Sequence, residues 1–223
     1  MAEIDWSDVR PRIAALARLT TAAEIFAATS HGWRLAAALT VDELAELEDQ
    51  LGFELPAEYR SFLLEVSRGG AGPAYGLFPV HRVEGRWTWE DDGAALNSHE
   101  ALARPFAHIR AFNPAEDPAV PPPPGPDQIA LWELPDDGPA HSTGELLDDG
   151  PAHSTGLLYL CHLGCALRQA LVVSGPSRGQ MWADDTADGE GFHPLQNPDG
   201  SRMTFTDWYR TWLRQSERTA ARG

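Results

Sequence analysis

The chain contains no lysine. All 17 of its basic residues are arginine, set against 33 Asp and Glu in 223 residues, for a formal net charge of -16. The missing lysine excludes Schiff-base chemistry and a P-loop, both of which need an amine. The negative balance excludes nucleic acid and anionic membranes as expected partners, because both are polyanions. Cysteine is scarce too: two residues, Cys161 and Cys165, cannot build a disulfide framework, so a reducing, cytoplasmic setting is expected. No apolar run approaches the ~18–20 residues that cross a bilayer. The acidic start, Met1 to Asp5, lacks the apolar stretch of a secretory signal.

What is present is ordinary for a folded chain: 43% hydrophobic and 22% charged residues, enough to bury a real core. The charge is unevenly spread. Between Arg110 and Arg168 no basic residue occurs, while Glu116, Asp117, Asp127, Glu133, Asp136, Asp137, Glu145, Asp148 and Asp149 are all acidic. That stretch has no local counter-charge. From Ser201 onward the balance reverses in favour of arginine.

The first half has helical texture. Ser7 is placed to cap a helix carrying Val9, Ile13 and Leu16, and Thr21 to Glu24 has capping-box spacing before a stop at His31-Gly32. Thr40 to Glu43 is a stronger capping box, followed by Leu44, Leu47 and Leu51 at helical spacing and Gly52 as a C-cap. Pro56 opens a further helix at its first position, with Tyr59, Phe62, Leu63 and Val66 on one face. After Gly72 the texture is short and strand-like: 77–80, 86–89, 129–133, 157–162, 168–173 and 181–183. A Pro-rich loop falls at 114–127, and a closing helix over 207–218 carries Trp208, Tyr209, Trp212 and Leu213 on one side. Trp87 and Trp89 share a strand face, which points to core or to interface.

One segment is duplicated. Asp136 to Gly144 recurs identically as Asp148 to Gly156, with a period of twelve. A single tandem copy is not a solenoid. It marks a surface excursion that tolerates insertion.

Several blocks together resemble the SUKH superfamily, which includes the fungal cell-wall-synthesis regulator and many bacterial immunity proteins against polymorphic toxins. They are Leu39-Thr40 with Glu43-Leu44, Leu51 to Pro56, Tyr59 to Leu63 and Gly69 to Phe78. Further matches are Gly164-Cys165, Leu171 to Pro176, Arg178 to Trp182, and Phe205 with Trp208-Tyr209 and Trp212-Leu213. The resemblance implies an α+β, SUKH-like domain over residues 35–223, with helices packed on a mostly antiparallel sheet; residues 1–34 are then a helical extension packed on that body. It implies a non-enzymatic protein-binding domain with no cofactor, which in bacteria binds and neutralises a toxin, commonly a nuclease or deaminase. A regulatory or scaffold module like the fungal relative is the alternative.

The residues themselves offer little catalytic chemistry. Neither Ser174-Gly175 nor the Gly69–Gly72 cluster is a nucleophile elbow or a phosphate loop. Cys161, His162 and Cys165, with His141 and His153 nearby, contain zinc-ligand types. Adjacent residues of a strand point to opposite faces, however, and the spacing is not that of a zinc knuckle, so no metal is expected. Paired acids occur at Asp91-Asp92, Asp136-Asp137, Asp148-Asp149 and Asp184-Asp185. The first three pairs, Asp91, Asp92, Asp136, Asp137, Asp148 and Asp149, are the expected contact residues for a basic protein partner, because turns and loops leave their charge exposed.

Overall fold

The computed structural model describes residues 4–90, 92–116 and 153–222. Asp91, the 129–133 strand, most of the Pro-rich loop and nearly all of the duplicated segment lie outside the described residues.

The N-terminal third is helical. Helices α1 (Val9–Leu16), α2 (Ala28–His31), α3 (Val41–Leu51) and α4 (Ala57–Glu65) follow in order, with a 3-10 turn at Thr20–Glu24. Helix α3 forms as its sequence dictates. The Thr40 hydroxyl accepts the Glu43 N–H, the Glu43 carboxylate accepts the Thr40 N–H, and Gly52 closes the helix at φ 77°. Elsewhere the caps differ from expectation. Asp8, not Ser7, sits at the α1 N-cap and makes no capping bond, because its carboxylate is committed to Arg12 and Arg210. Pro56 is the N-cap of α4 rather than its first residue.

A hairpin of β1 (Val80–Val83) and β2 (Arg86–Trp89) follows. Its first strand starts three residues later than the 77–80 expectation. Pro79 has no N–H for a ladder; before it, Phe78 donates instead to the Leu160 carbonyl at 2.8 Å. Two short helices, α5 (Asp92–Leu96) and α6 (His99–Ala103), lead toward the main sheet.

That sheet is a four-stranded antiparallel meander of β3 (Leu157–Gly164), β4 (Leu167–Val172), β5 (Met181–Asp185) and β6 (Gly191–Pro194), in that order. Both outer edges are engaged. The Asn97 side chain donates to and accepts from the Tyr159 backbone, at 2.9 and 2.8 Å, beside β3. Phe112 exchanges both backbone bonds with Phe192 on β6. The mostly antiparallel α+β architecture expected from the resemblance is therefore present.

The closing helix, α7 (Phe205–Ala220), is longer than expected because Thr204 and Asp207 form a second capping box. Its buried face meets α1 and α4: Trp6, Phe62, Phe205 and Tyr209 pack edge-to-face with centroids 4.7–6.4 Å apart. Burying one such side chain is worth roughly 1.5–3 kcal/mol. Their polar ends are satisfied: Trp6 donates to Ser61 and Tyr209 to the Ala71 carbonyl, both at 2.8 Å. Around the rim Arg12 forks onto Glu217 with two 2.7 Å bonds and also reaches Asp8. The N-terminal residues thus share one hydrophobic cluster with the sheet and α7. Trp87 and Trp89 join that same core, at 3% and 1% exposure.

Gly70 is a tight joint. It bridges both Leu35 and Leu77 at φ 104°, and a Cβ there would lie 2.4 Å from the Arg34 carbonyl oxygen. Only glycine fits.

Candidate interaction surface

The turn between β5 and β6 is strongly acidic. Asp184 and Asp185 end β5, Asp188 lies in a one-turn 3-10 helix, and Glu190 precedes β6. Asn113 donates to the Gly189 carbonyl at 2.7 Å, so Glu116, three residues on, stands beside the same turn. The acidic stretch of the sequence thus leaves the described fold next to a second set of carboxylates.

These acids divide by burial. Asp184 is 4% exposed and accepts from the Tyr159 hydroxyl at 2.7 Å, the Thr186 hydroxyl at 2.7 Å and the Thr186 N–H. It is a structural carboxylate. Tyr159 is held protonated, its pKa pushed well above 10 by burial and then by the Asp184 charge. Asp185 is partly exposed, and its one described ion-pair partner is His193 at 3.5 Å. Its pKa is raised, first by partial desolvation and then, against the pull of His193, by the negative charges of Asp188, Asp184 and Glu190. A carboxylate raised by like-charged neighbours is one that a cation would relieve.

Beside the turn is a cleft of about 300 Å³. Tyr159, Arg168, Asp184 and Thr186 supply its polar groups, with Phe192 and His153 beside them. Arg168 faces Asp184 across the strands, and its Nε has no hydrogen-bond partner among the described residues.

Asp92 opens α5, and only its backbone is described. Asp91, Asp136, Asp137, Asp148 and Asp149 lie outside the described residues. The acids that do converge, Asp185, Asp188 and Glu190, were visible as a short acidic run. Loop-or-strand placement was the missing information, because β6 has no strong strand signature: Gly191-Phe192-His193-Pro194 contains one apolar side chain. Asp184, paired with Asp185 in the sequence, is buried rather than solvated.

Nucleophile chemistry has little support in this geometry. Cys161 is buried in β3, and burial pushes its thiol up to about 12, far from a reactive thiolate. Cys165 is exposed in the β3–β4 turn. His162 stacks on Tyr75 with centroids 4.3 Å apart. Among the described residues no three Cys, His, Asp or Glu side chains cluster as metal ligands, and no helix is long and apolar enough to cross a membrane.

Residues 38–140 match the SMI1 / KNR4 family (SUKH-1). That match supports, over residues 38–140, the likeness to the SUKH superfamily that the sequence blocks carry. The match begins two residues before the α3 capping box and runs through α4, the β1–β2 hairpin, α5 and α6. The search of curated proteins and the search of solved structures each returned no match.

Proposed function

We propose that this SUKH-like protein is a non-enzymatic immunity protein of bacterial origin that binds and neutralises a basic toxin domain, such as a nuclease or deaminase. The carrying observation is the charge: -16 overall, with Asp185, Asp188 and Glu190 crowded on one turn and a stretch of sequence from Glu116 to Asp149 that holds nine acids and no basic residue. Toxins that act on nucleic acid carry positive surfaces, and complementary fields speed encounter and disfavour wrong partners. The family match supports the same reading, since it is consistent with immunity or regulatory roles. The contact residues are proposed to be Asp91, Asp92, Asp136, Asp137, Asp148 and Asp149, together with the acids of the β5–β6 turn.

The test is co-expression with the toxin domain encoded beside the gene. Restored growth and a stable purified complex are expected. An isolated gene, or a neighbouring toxin domain that is neither bound nor neutralised, contradicts immunity and favours a regulatory or scaffold role instead.

A further inference from the structure

Two exposed aromatic rings, Phe26 and Tyr75, extend the edge of the core at the surface. Phe26 is 65% exposed and Tyr75 37% exposed. Their rings meet edge-to-face at 5.8 Å; Tyr75 stacks on His162 at 4.3 Å, and Phe78 lies 6.0 Å from the same imidazole. The Tyr75 ring lies over the β3–β4 turn, where a Cβ on Gly164 would sit 3.6 Å from it.

Two independent features set this surface apart. The first is charge. Residues 25–30, 69–78 and 157–167 supply the cluster, and none of these segments contains an Asp, Glu or Arg, in a chain with 50 charged residues (33 + 17). The second is backbone conformation. Six non-glycine residues have positive φ among the described residues, and four adjoin the rings: Ala27, Ala74, Cys165 and Ala166, at 57°, 50°, 51° and 62°. Cys165 and Ala166 form the two-residue β3–β4 turn, whereas Ala27 and Ala74 hold this costly conformation directly beside the two exposed rings. Aromatic clusters free of charge are the pattern of energetic hot spots.

We propose that the Phe26–Tyr75–His162 cluster is the apolar centre of the partner interface, where a basic protein domain stacks an arginine side chain on the exposed rings. This rests on the immunity function proposed above. The occupant follows from charge. A second copy of this chain would bring -16 against -16 and be repelled, whereas a cationic domain is attracted by the acidic body and its guanidinium is attracted to ring faces.

The experiment compares wild type with Phe26→Ala/Tyr75→Ala in surface-plasmon binding to the neighbouring toxin domain, with Phe26→Ser alone as a second variant. Thermal melting of each confirms folding, and because Phe26 is largely exposed its single variant should melt with wild type. The expected result is wild-type binding, with the double variant weakened at least about 30-fold, mostly through faster dissociation. Phe26→Ser should weaken it in the same direction. If wild type binds and both folded variants bind equally well, the ring cluster is not the interface, although the immunity function stands. If wild type does not bind, the immunity function fails, and this occupant fails with it.

Discussion

At the residue scale, two buried polar side chains do more than fill space. His31 is 7% exposed, wedged edge-on against Trp33 and Trp212, and its Nδ1 accepts the Trp33 N–H at 3.0 Å. Burial lowers its pKa to about 4. The unfolded chain therefore takes up a proton near pH 6.5 that the folded chain refuses until about pH 4, so stability falls as pH drops through that window. At 1.36 kcal/mol per pH unit the loss is about 2–3 kcal/mol. Denaturant titrations at pH 7.5 and pH 4.5 should show it, and a folded His31→Gln variant should lose less over the same interval. Asn97 is the other case. It pairs with both backbone groups of Tyr159, and Asn97→Ala would leave a buried donor and a buried acceptor unmet, at about 2–4 kcal/mol. A chemical denaturation midpoint checks this; an unchanged midpoint would mean that the β3 edge finds other partners.

At the element scale, what could be read from sequence depended on whether the signal was local. Helix α3 was legible because Thr40, Glu43, three leucines and Gly52 carry the whole instruction within thirteen residues. The C-terminal helix was legible in its aromatic face but not at its start, since Thr204 caps through the shorter Asp207 rather than a glutamate. Strand β6 was missed because its stability comes from neighbours, β5 on one side and Phe112 on the other. The ring cluster was missed for the same reason. Phe26, Tyr75 and His162 are far apart in sequence, and only the fold brings them together. The β3–β4 turn shows the opposite conflict, where local preference is overridden. Cys165 and Ala166 both take positive φ, the geometry of a two-residue turn that favours Asn-Gly. Replacing Cys165-Ala166 with Asn-Gly should stabilise the protein by about 1–2 kcal/mol, read as a raised melting temperature. A lowered one would show that the Cys165 and Ala166 side chains contribute packing that the backbone preference does not predict.

At the scale of the whole molecule, one hydrophobic cluster joins the N-terminal helices, the sheet and α7. Glu116, where the acidic stretch of the sequence begins, is tied to the β5–β6 turn through Asn113, whose carbonyl accepts the Glu116 N–H and whose side-chain amide donates to the Gly189 carbonyl, which sequence order alone does not reveal. The duplicated segment, residues 136–156, falls within the same acidic stretch of the sequence. Deleting one twelve-residue copy should shift stability by less than about 1 kcal/mol, because halving a loop changes its closure entropy by only ~0.6 kcal/mol. A loss of several kcal/mol in a thermal melt would show that the segment packs on the body.

The claim that charge recruits the partner is tested most directly by association kinetics with the neighbouring toxin domain across ionic strength. Screening shortens the reach of surface charge from ~10 Å at 0.1 M salt to ~3 Å at 1 M. The association rate is therefore predicted to fall at least about tenfold between 50 mM and 500 mM NaCl, with dissociation changing far less. Asp185→Asn/Asp188→Asn should flatten that dependence. An association rate indifferent to salt in the wild-type protein would contradict electrostatic recruitment.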